Sequence, residues 1–262
     1  MKKHIAFYYG FNSPYEQRVK RIKDCGFDGV MVYFEFSDTF YEECDCISRS
    51  GLEIESIHMP FRFIANKLWI PGKTGESFLR TMKKGVDFAS SSNVKNLTVH
   101  ISESMLPPPV SETGILRLKQ LIEYADRKNV SICIENLRRP DYFEYVFTCI
   151  PDTRLKICFD SGHANAFWKK CDLSKYYSQI VCCHLHDNFG RFDSHNIPFE
   201  GTINWQKLCT ELKKCSISGL TIESGANKRS KTNYPSDEED YLRKCYESLC
   251  IIDKMIANNQ GS

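Results

Sequence analysis

The chain has 262 residues, 42% of them hydrophobic, with 35 Lys plus Arg against 33 Asp plus Glu. A net charge of +2 excludes a general electrostatic pull towards nucleic acid or an anionic membrane, while leaving room for a local basic patch. No apolar run reaches the roughly 18 residues a membrane helix needs, and the apolar part of "MKKHIAFYYG" is too short for a secretory leader, so a soluble, cytoplasmic protein with no membrane partner is expected.

Thirteen cysteines are present, an odd number, and no CxxC pair occurs. The lone CxC, "CDC" at 44–46, falls in a helix-like stretch, where positions i and i+2 face different ways. Others sit inside apolar runs: Cys133 in "SICIEN", Cys158 in "KICFD" and Cys182–Cys183 in "IVCC". This usage predicts buried thiols in a reducing compartment, not a disulfide frame or a zinc knuckle.

In chain order, eight short runs read as strands. They are "HIAFYY" (4–9), "GVMVYF" (29–34), "EIESIHM" (53–59), "NLTVHI" (96–101), "SICIEN" (131–136), "LKICFD" (155–160), "IVCCHLHD" (180–187) and "GLTIES" (219–224). Helix-like stretches lie between them, among them 14–25, 76–91, 112–128, 204–215 and 236–257. The stretch 112–128 places Ile115, Leu118, Leu121, Ile122 and Ala125 at the helical period. "SETG" (111–114) and "SDEED" (236–240) read as capped, acidic helix starts, and "PPP" (107–109) and "NKRSKTNYPS" (227–236) as loops after strands. Eight strand–helix units predict parallel pairing and one closed (β/α)₈ TIM barrel, a single domain over 1–262.

In such a barrel the chemistry sits at the C-terminal ends of the strands. Those ends carry His58, His100, Glu135, Asp160 with His163 three residues on, His184, His186 and Asp187, and Glu223. Asp193 and His195 follow in the next loop, and only His4 of the seven histidines lies at a strand start. Taken singly, each is as well explained by a structural hydrogen bond. Together, imidazoles and carboxylates converging on one mouth would repel or stay protonated without a cation. Nitrogen and oxygen donors without thiolates suit Mn²⁺, Zn²⁺, Mg²⁺ or Co²⁺ and not a structural zinc site. A divalent metal is therefore the expected cofactor.

The segments "HMPF" (58–61), "TVH" (98–100), "IEN" (134–136), "FDSGHAN" (159–165), "HLHDN" (184–188), "DSH" (193–195), "FEGTINW" (199–205) and "TIES" (221–224) come in an order that resembles the xylose isomerase-like TIM barrels. That group includes sugar isomerases, sugar epimerases and the endonuclease IV enzymes. The resemblance implies one metal on Glu135, Asp160, His184 and Glu223, as in the epimerases. The endonuclease IV branch implies nine ligands for three metals, and each has a match: His58, His100, Glu135, Asp160, His163, His184, Asp193, His195 and Glu223. "IPFEG" departs from the "LGEG" usual in the nuclease, and "PFRFIANKLWIPGKTGE" is closer to the isomerase-like loops.

The expected function is a metal-dependent isomerase or epimerase of a sugar or sugar phosphate. Glu135 and Glu223 are its expected acid and base and also metal ligands. His186, Asn136, Arg138, Trp69 and Trp205 are the expected contacts to a small carbohydrate, with Phe61 and the two tryptophans as an aromatic roof. Arg138, Arg139, Lys228, Arg229 and Lys231 follow strands five and eight, where a phosphate would be held. The alternative is a metal-dependent phosphodiesterase acting on abasic DNA, against which the near-neutral charge counts. A third reading, a non-catalytic barrel that binds metal or ligand, leaves the dense acid–base set without a use.

Overall fold

The computed structural model describes residues 1–168, 173–226 and 237–258. Eight parallel strands close a barrel in sequence order, with β8 returning to pair with β1. The strands are β1 (Lys2–Ala6), β2 (Gly29–Tyr33), β3 (Glu53–His58), β4 (Asn96–Val99), β5 (Ser131–Glu135), β6 (Lys156–Asp160), β7 (Ile180–Leu185) and β8 (Gly219–Ile222). The helices are α1 (Tyr15–Cys25), α2 (Asp38–Ser50), α3 (Gly72–Ser91), α4 (Glu112–Asp126), α5 (Pro140–Cys149), α6 (Ser161–Phe167), α7 (Trp205–Leu212) and α8 (Glu238–Asn258). The expected (β/α)₈ barrel is therefore the observed fold. Lys228, Arg229 and Lys231 lie outside the described residues.

Local chemistry explains the element ends. Ser111 caps α4 by accepting from the Gly114 N–H at 3.2 Å, and Asp160 caps α6 by accepting from the His163 N–H at 2.6 Å. α1 ends on Gly26 at φ 103°, a left-handed conformation that glycine adopts without a Cβ penalty. Strands buried on both faces pack helices outside and side chains inside, so they read as near-continuous apolar runs. The outer core joins strand residues such as Ile57, Leu97 and Ile134 to helix residues such as Ile22, Phe78 and Leu249.

Cys133, Cys158 and Cys182, from three consecutive strands, form a small buried cluster of their own. Cys158 of β6 is in register with Cys182 of β7. The cysteines of the described residues are free thiols. The two ends of the barrel differ sharply. At the N-terminal end His4 Nε2 lies 2.6 Å from Glu53 Oε1, remote from the other six histidines.

Candidate metal centre and active site

All nine ligand-type residues converge at the C-terminal mouth. His58, Glu135 and Asp160 close their strands, His184 is the last residue but one of its own, and His100 and Glu223 follow theirs directly. His163 rides on the first turn of α6, three residues after Asp160. Asp193 and His195 come from the loop after β7. Glu135, Asp160, His184 and Glu223 each offer one ligand atom, and these four atoms lie within 4.8 Å of one another. Two overlapping triads meet the same test, His58–Glu135–His184 and His186–His195–Glu223.

Glu135 is the hub. Its Oε2 lies 2.7 Å from His100 Nε2 and 3.3 Å from His58 Nε2. Its Oε1 lies 3.1 Å from His163 Nδ1 and 3.7 Å from His184 Nδ1. Glu223 Oε2 approaches the same His184 nitrogen at 3.1 Å. Asp193 Oδ2 lies 3.1 Å from His163 Nε2 and 3.4 Å from His195 Nε2.

The donor set fits a cation. Both ring nitrogens of His184 are buried and make no hydrogen bond, nor do His163 Nδ1 and Asp193 Oδ1. Buried polar atoms without partners are costly, and a metal ion would satisfy them. The tautomers agree. His58 Nδ1 lies 2.9 Å from the Met59 carbonyl oxygen, and His195 Nδ1 lies 2.6 Å from that of Glu223. A carbonyl only accepts, so in each ring the proton sits on Nδ1 and Nε2 faces the cluster as a donor of electrons.

The titration behaviour carries the same message. Burial works against ionisation of Glu135, yet His100, His163 and His184 hold its carboxyl well below the usual range. Burial also disfavours the charged form of His184, but Glu223 and Glu135 hold it well above the usual imidazole range. His195 is raised to about 10 against its burial, chiefly by Asp193. The acids thus demand positive charge at this spot. A divalent cation would supply that charge.

Several residues expected to touch substrate do not line the cavity. The ring of His186 is fully buried, with Nε2 3.1 Å from Asp160 Oδ2 and the ring stacked on His195 at 4.0 Å. A Cβ at Gly162 would come within 1.9 Å of His186 Cε1, which explains the glycine of "FDSGHAN". Asn136 is a strand brace: it donates to the Asp160 carbonyl at 2.9 Å and accepts from the Asp160 N–H at 2.6 Å. Trp69 is buried and donates to the Ile101 carbonyl at 2.6 Å. Trp205 is buried and donates to Asp187 Oδ2 at 2.9 Å. Arg139 is held by Asp141 and the Met105 carbonyl. The physical reason is common to all: each has a polar atom with a close partner below or beside the mouth.

Asp187 is the other surprise of the crowded stretch. It accepts from the N–H groups of Asn188 (2.8 Å), Phe199 (3.2 Å) and Ile203 (3.2 Å), besides Trp205. It therefore folds the 188–203 loop back on itself, and that loop presents Asp193 and His195. His195 itself sits at φ 48°, a conformation uncommon for a residue with a Cβ. Such a backbone persists only where the surroundings impose it.

The cavity above the cluster has a volume of about 910 Å³. Seven of the nine cluster residues line it, together with Phe61, Phe63 and Arg138; Asp160 and His184 do not. Phe61 packs on His100 with ring centroids 4.4 Å apart, so the aromatic wall expected of Phe61 is present without the two tryptophans. Tyr33, read from sequence only as part of an apolar strand, also lines the floor and donates to Glu223 Oε1 at 2.8 Å.

Solved structures share this fold over the whole chain. A D-tagatose 3-epimerase-like protein superposes with a TM-score of 0.75 at 19% identity, covering 100% of both chains. D-psicose 3-epimerase with D-tagatose from Clostridium cellulolyticum H10 gives 0.77 at 13% identity, covering 98% of this chain and 99% of its own. The 3-keto-D-glucoside 4-epimerase YcjR from E. coli gives 0.72 at 17% identity, covering 97% and 99%. By sequence, the uncharacterized protein y4fM of Sinorhizobium fredii is 21% identical over 250 residues, 81% of this chain and 78% of that protein. The profile described as xylose isomerase-like TIM barrel matches residues 19–245. With the match running from α1 to α8, this chain belongs to the xylose isomerase-like TIM barrel family.

Proposed function

We propose that the protein is a divalent-metal-dependent sugar isomerase or epimerase that moves a proton at a carbon next to a carbonyl. The observation that carries this reading is the grouping of two buried carboxylates that line the cavity, Glu135 and Glu223, with Asp160 and His184, their ligand atoms within 4.8 Å of one another. Glu135, Asp160, His184 and Glu223 would hold the metal. It would supply Lewis-acid stabilisation of the negative charge that develops on the substrate oxygens.

The chain's own groups do the proton work. Glu135 and Glu223 are both held ionised by neighbouring imidazoles, so either can accept a proton from carbon. They come from β5 and β8, which are not neighbours in the barrel, and so flank the floor from different sides. One carboxylate takes the proton; the other, once protonated, returns one from the other side. Return to the same carbon from the opposite face inverts it; return to the former carbonyl carbon, with the first carbon's hydroxyl proton passing to the former carbonyl oxygen, moves the carbonyl. Tyr33 fixes the rotamer of Glu223 through its hydrogen bond.

The epimerases that share the fold act on small sugars by their own descriptions, which supports this choice over the phosphodiesterase. So does the cavity itself, which contains two arginines and no lysine, where a nucleic-acid groove would be open and basic. The test is product analysis. The metal-reconstituted protein is incubated with a panel of ketoses and their phosphates, and the mixture is resolved by chromatography. A new epimer or aldose from at least one substrate, abolished by chelation, is expected. Unchanged substrates throughout, with metal-dependent nicking of an abasic duplex, would replace this reading by the alternative.

A further inference from the structure

The cavity is larger than its chemistry requires. Its volume of about 910 Å³ is near the top of the roughly 300–1,000 Å³ range of small-molecule sites. A lone monosaccharide over the floor would leave the upper part filled with water. That upper part has its own character. Arg62, from the loop after β3, and Arg138, from the loop after β5, line it from two sides. The hydroxyl-bearing Ser102, Ser104 and Ser194 line it too.

Both guanidinium groups are available. Arg62 forms no ion pair or hydrogen bond among the described residues. Arg138 makes one long contact, 3.9 Å to Asp193 Oδ2, and otherwise rests over the Phe167 ring at 5.7 Å. Glu103 is the carboxylate of this zone, and its Oε2 already accepts from the Phe63 N–H at 2.8 Å. Apart from the cluster's own Glu135, Asp193 and Glu223, the lining thus carries two guanidinium groups and one carboxylate that has a donor of its own.

The spacing to the floor is short. Arg138 touches Asp193, Asp193 Oδ2 lies 3.1 Å from His163 Nε2, and His163 Nδ1 lies 3.1 Å from Glu135 Oε1. One carboxylate and one imidazole therefore separate the guanidinium from the proposed acid–base group.

We infer that the substrate carries an anionic group at the end remote from the reacting carbon, and that Arg62 and Arg138 clamp it. This rests on the reading of the floor as a sugar-processing site. The shared chemistry is a tetrahedral or planar oxyanion, a phosphate ester or a carboxylate, which a guanidinium fork matches with two parallel hydrogen bonds. Asp193 has a second use in this arrangement: it holds Arg138 towards the cavity until the anion takes over its donors.

The experiment has two readouts on the metal-reconstituted chain. The first is deuterium uptake from heavy water by three ketoses of equal length: a neutral ketohexose, its 6-phosphate and the corresponding keto-uronate. The ratio of kcat/KM for an anionic over the neutral sugar is expected to exceed about tenfold. In R62A and R138A that ratio should fall by about ten- to a hundredfold, the loss expected for a charge-assisted hydrogen bond. Preference for the phosphate over the uronate, or the reverse, identifies the anion. The second readout is binding of inorganic phosphate by titration calorimetry, which needs no turnover and should weaken in both variants. Both arginines are exposed, so the variants should keep the wild-type unfolding midpoint. Equal kcat/KM for neutral and anionic sugars, or phosphate binding unchanged in R62A/R138A, overturns the inference. Arginine-dependent phosphate binding with no exchange in any sugar would instead sink the sugar-isomerase reading and leave the anion clamp standing.

Discussion

Tyr33 donates its phenolic hydrogen to Glu223 Oε1 at 2.8 Å, and the other oxygen of that carboxylate faces His184 at 3.1 Å. The two contacts hold Glu223 from opposite sides. Burial, followed by the charge of Glu223, raises the Tyr33 hydroxyl well above the ordinary phenol range, so it stays a donor. Tyr33→Phe removes one buried hydrogen bond to a carboxylate. Turnover should fall about tenfold or more, with a smaller change in KM and the metal retained. A fall in stability with unchanged kcat would show that Tyr33 only packs.

Glu135→Gln and Glu223→Gln test the acid–base pair. The amide keeps the shape and one carbonyl oxygen but accepts no proton at neutral pH. Turnover should drop at least the roughly 10²–10⁴-fold typical of such groups. Metal content per chain, measured on the same samples, separates lost chemistry from lost metal.

His186 does not line the cavity and its ring lies against Asp160 and His195, which predicts a supporting role. His186→Ala frees Asp160 Oδ2 and removes the face on which His195 stacks. Metal affinity should weaken by about 10–100-fold, as for other partners of metal ligands. Gly162→Ala should do the same by pushing the imidazole aside, since its Cβ would overlap the ring. A rise in KM at full metal occupancy would instead place His186 against the substrate.

The eight-stranded barrel was legible because eight short apolar runs alternate with longer helix-like stretches. The floor was legible too, because a polar residue at the end of an apolar strand has one place to go in a closed barrel. What the pattern does not reveal is which polar atoms already have partners. Asn136 and Asp160 brace each other from adjacent strands, and Trp205 meets Asp187 across 18 residues of loop. Nothing in the local sequence announces these pairings. Tyr33 was hidden for the opposite reason: a tyrosine in "GVMVYF" is what any buried strand would contain.

Asp187 tests that lesson directly. Asp187→Ala strands four donors around the 188–203 loop. Stability should fall by about 3 kcal/mol or more, the scale of several lost charge-assisted bonds. Hydrogen exchange should accelerate at the amides of Phe199 and Ile203 before it does in the strands.

Glu43 gives a pH dependence away from the site. Burial raises its carboxyl to about 7, although Tyr8 donates to it and Arg18 is near. An acid raised on folding binds protons more tightly in the native state. Its contribution is therefore most favourable below about 4.5, declines as pH rises from there to about 7, and is fully lost above. Urea unfolding of wild type and Glu43→Gln from pH 4.5 to 8 should show a difference that shifts in favour of the variant across that window. A constant difference would mean that Glu43 does not titrate there.

The central claim is proton transfer at a carbon beside a carbonyl, and deuterium exchange measures it most directly. The metal-reconstituted protein is held with a ketose panel in heavy water and followed by proton NMR. The signal of the hydrogen next to the carbonyl should fade for at least one sugar, and Glu223→Gln or chelation should stop it. Full retention of that hydrogen in every sugar, with metal bound and the barrel folded, would contradict the account.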